Sequence, residues 1–329
     1  MPRLDKLEDV IFPVGEHPVF VSVSEASAER RLPVPDKKAI VALKNHRVLG
    51  IVGQGYQLVS NREALDMAHE CCRTVFPETK PGEWEVVAAD APATASYCHI
   101  DLRHNSTALD FNAMPPAQRP EVFGPFIRVT NSYNGLRALA FDVGFYRKVC
   151  KNGMILPDTI IRFSFTHDRR GMQEGVHFDV EHEKLTKFKA SFNEFLGALR
   201  GFGVRRADFE PLVRGVLCLR QPDPNKPDSR ETEDWQKLTV HLDEMSDRYA
   251  DDLGENAYAV FNAVTEFASH PPTNRCVHRD RHSLQRLAGA WLNTFGQECR
   301  KPGFTVAGHL NELAKLASET EKQKSPEQN

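Results

Sequence analysis

The sequence predicts an α+β fold, with an antiparallel β-sheet core in the N-terminal half and a helical C-terminal half. Two observations predict this division. Apolar and polar residues alternate in short runs up to about residue 166, which is the period of half-buried strands. From about residue 180 the apolar residues recur every three or four positions, which is the period of amphipathic helices. Because strands and helices are grouped along the chain, an antiparallel sheet is favoured over an alternating parallel fold.

The elements of the first half are predicted from local patterns. The segment "AIVALKNHRVLGIVG" has two apolar runs around Lys44-Asn45-His46, which is typical of a β-hairpin. Ser60 followed by Glu63 is a capping box and predicts that a helix begins there. Further strands are predicted at "EWEVVAA", "TASYCHIDL" and "IIRFSFTH". The proline-bearing segment that precedes the hairpin predicts irregular structure, and residues 103–121 predict a long polar loop.

The second half is predicted to be a series of amphipathic helices. Phe188, Phe192 and Phe195 fall on one face of the first helix and are expected to be buried. Residues 221–234 are polar and rich in proline, which indicates a linker. The predicted organisation is a β-rich α+β domain at 1–220, that linker, a helical region at 235–318 and a disordered Lys- and Glu-rich tail at 319–329.

Composition limits the class of protein. The chain has 329 residues, 40% hydrophobic and 26% charged, with a net charge of −3, which indicates a globular protein and excludes one that is basic throughout. It has no signal-peptide pattern and no apolar run of membrane-spanning length, and its dispersed cysteines point to a reducing cytoplasm. Seven dispersed cysteines without a CxxC motif predict reduced thiols that hold no metal. Cys71 and Cys72 are expected on a helix, one buried and one less so.

The stretch "FIRVTNSYNGLRALAFDVGFYRKVCKNGMIL", residues 126–156, carries the candidate site. Asn134-Gly135 between alternating strands predicts a tight hairpin turn, since both central positions favour positive φ. Residues 126–206 carry 14 Lys plus Arg and 8 Asp plus Glu, so their net charge is 14 − 8 = +6. A basic face with aromatic side chains suits single-stranded nucleic acid, because cations contact phosphates and rings stack on bases. The predicted contact residues are Arg128, Tyr133, Arg137, Tyr146, Arg147, Lys148, Lys151 and Arg162.

Other interpretations of these patterns stay open. A well-built hairpin with a solvated outer face explains the stretch without any ligand. Asp179, Glu181 and Glu183 could hold a divalent ion in a nuclease, but an acidic helix start also suits the helix dipole. The sequence contains none of the common hydrolase, nucleotide-binding or zinc-protease motifs. We therefore assign no catalytic residue and expect no cofactor, which makes a binding protein more plausible than an enzyme.

Three blocks of the sequence carry a family resemblance. They are "VLGIVGQGYQLVSNREAL", "VTNSYNGLRALAFDVGFYRKVCKNGM" and "NAYAVFNAVTEFASH", which lie within residues 48–270. With these blocks the chain resembles a domain-of-unknown-function family of phage- and plasmid-like proteins found on prophages, plasmids and integrative elements. The resemblance implies a role in a mobile genetic element, such as replication, recombination or conflict with host defence, and it transfers no catalytic residue.

The order of predicted elements is also similar to the core of single-strand annealing proteins, which form basic-grooved oligomers on single-stranded DNA. The slightly acidic net charge of −3 departs from a strong DNA-coating protein. The leading hypothesis is a non-enzymatic, homo-oligomeric nucleic-acid-binding factor of a mobile element, used in annealing or recombination. The alternative is a protein-binding regulatory module that acts on an acidic partner, and a metal-dependent nuclease comes third.

Overall fold

The computed structural model describes residues 3–25, 28–80, 82–106, 111–112, 122–148, 152–157, 161–168, 178, 182–222 and 229–324. The chain divides into two compact units, each made of several segments. The strand unit contains Met1–Leu109, Gly124–Gly144 and Ile161–His182, and the helical unit contains Asp110–Phe123, Phe145–Ile160 and Glu183–Asn329. The boundaries of these units differ from those of the predicted domain at 1–220 and helical region at 235–318. Two segments from the strand region are grouped with the helices.

A three-stranded antiparallel sheet forms the first part of the strand unit. β1 (Arg3–Leu4) and α1 (Leu7–Val10) precede its strands, which are β2 (Val14–Glu25), β3 (Ala28–Ala42) and β4 (Arg47–Gly53) in spatial order. The hairpin predicted around Lys44-Asn45-His46 is thereby confirmed. The preceding segment is not irregular as predicted, because Pro18, Pro33 and Pro35 are accommodated in β2 and β3. Pro18 lies at a register shift, where the missing N–H disturbs the ladder least.

The larger sheet of the strand unit has the order β1-β5-β6-β8-β9, with β11 beside β9. Its strands are β5 (Trp84–Pro92), β6 (Tyr97–His104), β8 (Val122–Ser132), β9 (Leu139–Arg147) and β11 (Arg162–Phe165). In the helical unit, β7 (Phe111–Asn112) pairs with the start of β8, and β10 (Gly153–Ile155) pairs with β9. The pairs β1–β5, β5–β6, β6–β8, β7–β8 and β9–β11 are all antiparallel, as predicted.

One helix of the strand unit, α2 (Asn61–Val75), begins at the predicted capping box. The helical unit contains α3 (His182–Gly201), α4 (Phe209–Val216), α5 (Ser229–Leu253), α6 (Ala257–Ser269), α7 (Arg281–Glu298) and α8 (Val306–Lys324). The fold is therefore α+β, with antiparallel sheets in the N-terminal half and helices in the C-terminal half. Across the described ranges, no helix combines the length and the apolar character needed to cross a membrane.

Two helix boundaries differ from the prediction. α5 begins at Ser229, inside the predicted linker, and α8 continues to Lys324, inside the predicted disordered tail. Residues 229–234 and 319–324 are all polar, but they include Glu, Arg, Lys and Gln, which favour helix intrinsically. A helix can therefore extend through such residues once packing has started it. Residues 223–228 and 325–329 lie outside the described part of the chain.

The apolar stripe of α3 is buried in the helical unit. Phe192 is fully buried and Phe195 is nearly so, which confirms the prediction for both residues. The ring of Phe192 lies between those of Phe123 and Phe145, with centroid distances of 5.1 and 6.2 Å. The side chain of Phe188 lies outside the described residues.

The paired cysteines of α2 are both buried, whereas only one was expected to be. Cys71 and Cys72 each have an exposed fraction of 0%, because α2 is covered on two adjacent faces. Burial raises the pKa of both thiols well above the usual range, and it raises the pKa of Cys98 to about 12. The six described cysteines are all free thiols, and Cys150 lies outside the described residues.

Candidate functional site

The predicted turn at Asn134-Gly135 is wider than a two-residue hairpin. Residues 133–138 join β8 to β9. Of Asn134 and Gly135, only Gly135 has a positive φ, at 73°. The Oδ1 atom of Asn134 accepts hydrogen bonds from Ser132 Oγ at 2.8 Å and from the Leu136 N–H at 3.1 Å. The expectation of positive φ at both positions is therefore wrong, because the Asn134 side chain closes the turn.

Tyr133, which was predicted to stack on a base, lies in the core of the strand unit. Its exposed fraction is 0%, and its hydroxyl accepts a hydrogen bond from the backbone N–H of Asn61 at 2.9 Å. Burial raises the pKa of this phenol far above the usual range. Since neither face of the ring is open to a base, the structure does not support the predicted contact. The side chain instead ties the start of α2 to the sheet.

A buried amide network surrounds Tyr133. We define it as Tyr56, Asn61, Asn131 and Tyr133. Asn131 Nδ2 donates to Asn61 Oδ1 at 2.8 Å, and the Tyr56 hydroxyl donates to the carbonyl of Ser132. Tyr56 and Asn61 belong to the first block of the family resemblance, and Asn131 and Tyr133 belong to the second. The network thus explains these motif residues as a structural junction within the strand unit.

Gly50 of β4 allows the same two blocks to approach closely. A Cβ atom at this position would lie 2.4 Å from the carbonyl oxygen of Tyr133 and 2.5 Å from the Cα of Asn134. Both distances are shorter than real Cβ contacts, and both neighbours are backbone atoms that cannot rotate away. Any side chain at Gly50 must therefore displace the strand or the 133–138 loop.

We expect Gly50→Ala to lower the free energy of unfolding by about 1–3 kcal/mol, as overpacking does in other cores. Gly53→Ala is the matched control, because it lies on the same strand and its Cβ position has no neighbour within 4 Å. The control should change stability by less than about 0.5 kcal/mol. Urea unfolding followed by circular dichroism measures both. Equal effects of the two substitutions would contradict the close approach at Gly50.

Arg128, predicted as a phosphate contact, is buried with an exposed fraction of 1%. It lies directly opposite Asp101 on the neighbouring strand, and its Nε and Nη2 donate to Asp101 Oδ1 and Oδ2 at 2.5 and 2.6 Å. Burial alone would lower the pKa of the guanidinium, but the carboxylates of Asp101, Asp142 and Asp90 raise it. Arg128 is thus a buried, paired cation of the strand unit, and we remove it from the candidate surface.

Three other predicted residues also contact protein groups. Arg162 of β11 lies opposite Asp142 of β9, with Nε 3.3 Å from Oδ1. In the helical unit, Arg147 Nη1 donates to Asn262 Oδ1 at 2.7 Å, and Tyr146 is buried. Charge counting along the sequence could not show this, because the partners lie on other strands or on a distant helix.

Arg137 and Lys148 are half-exposed. The guanidinium carbon of Arg137 lies 4.1 Å from the centroid of the Tyr97 ring, and the adjacent Leu136 has an exposed fraction of 82%. Arg137 belongs to the strand unit and Lys148 to the helical unit. Lys151 lies outside the described residues. Of the eight predicted residues, Arg128 and Tyr133 lie in the interior of the strand unit and Tyr146 in that of the helical unit.

The three-stranded sheet carries an exposed apolar surface that sequence reasoning missed. On β4, Val48 and Ile51 have exposed fractions of 55% and 57%, although they lie opposite Val41 and Ala39 of β3, which are buried. Six of the ten large apolar side chains that are exposed among the described residues lie on or beside this sheet. We call this set the outer sheet surface; it consists of Phe20, Val21, Leu32, Leu43, Val48 and Ile51. Neighbouring residues of a strand alternate between the two faces of a sheet, so Phe20 and Val21 of β2 lie on opposite faces and the set covers both faces.

The same sheet is locally basic. Residues 28–53 carry six Lys plus Arg and two Asp plus Glu, so their net charge is 6 − 2 = +4. Lys38 is an exception among these cations because it is buried and lies 2.8 Å from Glu16 Oε1. The other five are exposed: Arg30, Arg31, Lys37, Lys44 and Arg47. The sequence signal that could have found this surface is the local charge of β3 and β4, which lies outside the stretch 126–206.

Many of the residues described above lie in a region that matches one protein family. A family described as "Domain of unknown function (DUF932)" matches residues 48–291, well over half of the chain. The chain belongs to the DUF932 family. No curated protein and no solved structure matches the chain. The DUF932 match contains Gly50, the buried amide network and Asn262.

Within the DUF932 region, the second and third resemblance blocks meet in the helical unit. Arg147 from the second block binds Asn262 from the third, as described above. The N–H of Gly153 in the second block donates to Ser269 Oγ in the third at 2.8 Å. All three blocks are therefore joined by hydrogen bonds inside one unit or the other. These hydrogen bonds give the residues that make them a structural role, and the family match by itself assigns no activity.

Proposed function

We propose that the protein binds single-stranded nucleic acid, without catalysing a reaction, through the outer sheet surface and the cations around it. One observation carries this proposal: exposed cations and exposed apolar side chains occur together on one three-stranded sheet. Cations attract phosphates whatever the base sequence, and apolar side chains can cover unstacked bases. The net charge of −3 does not oppose this, because local potential directs association.

The proposed phosphate contacts are the exposed cations of β3, of β4 and of the turn between them. Lys37 lies 4.0 Å from Asp36, but both side chains are well exposed, and such pairs contribute little. The Nη2 of Arg47 donates to the carbonyl of Ala93, which does not neutralise the guanidinium charge. Phe20 of β2, with an exposed fraction of 53%, supplies a ring on which a base can stack.

We expect the variant Arg30→Ala, Arg31→Ala, Lys37→Ala, Arg47→Ala to bind single-stranded DNA weakly and with little salt dependence. Each lost phosphate contact should make the slope of log affinity against log salt shallower by about 0.7, so by about 3 for four contacts. Fluorescence anisotropy of a labelled oligonucleotide at several salt concentrations measures both quantities.

The matched control removes four exposed cations from the helical unit, at Arg205, Lys237, Arg275 and Lys301. It has the same net charge as the test variant but leaves the outer sheet surface intact. We expect it to keep the affinity and the salt slope of the original protein. If the test variant, folded by circular dichroism, also keeps both, the nucleic-acid proposal fails.

A second candidate function is protein binding through the same surface. The outer sheet surface is mostly aliphatic, since Phe20 is its one aromatic residue, and exposed apolar side chains grouped on one sheet are a feature of protein contacts. The basic surroundings suit an acidic partner, and a second copy of the chain would give a homo-oligomer. Light scattering tests the latter, because Val48→Thr with Ile51→Thr should then shift the protein to monomer. Absence of oligonucleotide binding at low salt would favour protein binding.

The predicted nuclease site gains no support from the described residues. Asp179 and Glu181 lie outside them. The Glu183 side chain is exposed and lies 2.6 Å from Lys187 one turn later, which is typical of a solvated helix start. We keep a non-enzymatic role, and on the family resemblance we propose that it serves annealing or recombination in a phage- or plasmid-like element.

A further inference from the structure

A cleft in the helical unit is lined by residues of α4, α7 and α8. Its volume is about 790 Å³, which lies within the range of small-molecule sites, about 300–1,000 Å³. Apolar side chains such as Val216 and Leu287 form much of its wall. Six ionisable residues also line it, namely Cys218, Arg279, Glu298, His309, Glu312 and Lys315. None of these residues belongs to the outer sheet surface, so this cleft is independent of the proposed function.

Three of the ionisable residues, Glu298, His309 and Glu312, have the composition of a divalent metal site. Their donor atoms lie within 4.8 Å of one another. The hydrogen bond between Trp291 and His309 opposes this interpretation. The indole Nε1–H of Trp291 donates to His309 Nε2 at 3.0 Å, and an indole nitrogen can only donate. His309 Nε2 must therefore accept, and the neutral imidazole carries its proton on Nδ1.

This tautomer leaves Nδ1 of His309, a residue that lines the cleft, as a hydrogen-bond donor. A metal-bound histidine presents an unprotonated nitrogen to the metal and donates its other N–H to an acceptor. Trp291 imposes the reverse arrangement, because it occupies the nitrogen that would have to donate. Coordination through Nδ1 would require either loss of the Trp291 hydrogen bond or an imidazolate. The cluster is thus built for a hydrogen-bond acceptor rather than for a metal ion.

The Nδ1–H of His309 has no acceptor among the described residues. The side chain has an exposed fraction of 4%, and Glu312 Oε2 lies 3.9 Å away, beyond hydrogen-bond length. Burial lowers the pKa of His309 although Glu298 and Glu312 oppose this, which favours the neutral ring. A buried donor without an acceptor is costly, so a ligand that supplies one gains binding energy.

We propose that the cleft binds a small, mostly apolar molecule that carries a hydroxyl group. The hydroxyl oxygen accepts from His309 Nδ1–H, and the hydroxyl proton is donated to the carboxylate of Glu298 or Glu312. A carboxylate ligand fits less well beside His309, because the carboxylates of Glu298 and Glu312 lie within 4.8 Å of that residue's donor atom and repel an anion there, although Arg279 and Lys315 also line the cleft. An ammonium group also fits less well, because it cannot accept the His309 proton. The apolar body of the ligand lies against the Val216 and Leu287 side of the cleft.

Three probes of equal chain length test this: octanol, octanoate and octylamine. We expect isothermal titration calorimetry to show one octanol site per chain, with the other two binding at least about tenfold more weakly, a difference of about 1.4 kcal/mol. His309→Leu should weaken octanol binding by a similar factor. His309→Gln should largely keep it, because a Gln amide can accept from Trp291 and still donate into the cleft.

Several outcomes would overturn the proposal. One is equal binding of the three probes, and another is unchanged octanol binding in His309→Leu, since either result would mean an apolar cleft without a hydroxyl site. A third is the absence of octanol binding by a protein that is folded by circular dichroism. Stoichiometric zinc binding by the original protein that His309→Leu abolishes would overturn the tautomer and assign a metal site instead.

Discussion

Asp101→Ala is expected to destabilise the protein by about 3–5 kcal/mol, the usual result of breaking a buried ion pair. The substitution leaves the guanidinium of Arg128, which is 1% exposed, without its bidentate carboxylate. Water cannot replace the lost acceptor at a side chain buried to this degree, so the full desolvation penalty remains. Urea unfolding followed by circular dichroism measures the change in the free energy of unfolding.

Two controls separate this effect from a general loss of charge. Glu85→Ala removes the partner of Arg103 on the adjacent strand pair, where the two side chains are 45% and 30% exposed, and should cost less than about 1 kcal/mol. The double variant Asp101→Leu, Arg128→Met removes both buried charges and should be more stable than Asp101→Ala. A loss as small as that of Glu85→Ala would mean that Arg128 is solvated.

Phe192→Ala is expected to lower the free energy of unfolding by about 3–5 kcal/mol, because truncating a buried aromatic residue leaves a cavity. The ring is fully buried between Phe123 and Phe145, so few neighbours can move into the space. Phe20→Ala is the matched control: it removes the same atoms from a side chain that is 53% exposed. Its cost should be much smaller. A change within about 0.5 kcal/mol for Phe192→Ala would place the α3 stripe at the surface.

Much of the secondary structure could be predicted because its causes are local. The capping box of α2 requires Ser60 and Glu63, three positions apart, and both of its hydrogen bonds are present, at 3.1 and 2.7 Å. The stripe of α3 places Phe192 and Phe195 on one face through helix geometry alone. Strands β5, β6 and β11 follow from alternation over a few residues. In each case the residues that determine the helix or strand lie within a few positions of one another in the sequence.

The long strands β2 and β3 could not be predicted in the same way. The prolines of this segment predict irregular structure, since each one lacks the backbone N–H that donates a hydrogen bond to the neighbouring strand. Pro18 is tolerated because a register shift follows it on the way to Phe20. That irregularity is a property of the strand pair, and single-sequence patterns do not contain it. Helix α8 was likewise predicted to end too early, because polarity alone does not stop a helix.

The candidate site shows the same division between local and tertiary causes. By itself, the sequence determined the α+β order of elements, the start of α2, the buried stripe of α3 and the positions of the cations. Only the tertiary structure decided which cations face solvent. Arg128 and Asp101 are 27 positions apart and meet because β6 and β8 pair in one register. A one-residue slip of that register would turn Arg128 to the other face of the sheet. The sequence therefore determines the charge of Arg128, whereas the pairing of the strands determines its exposure.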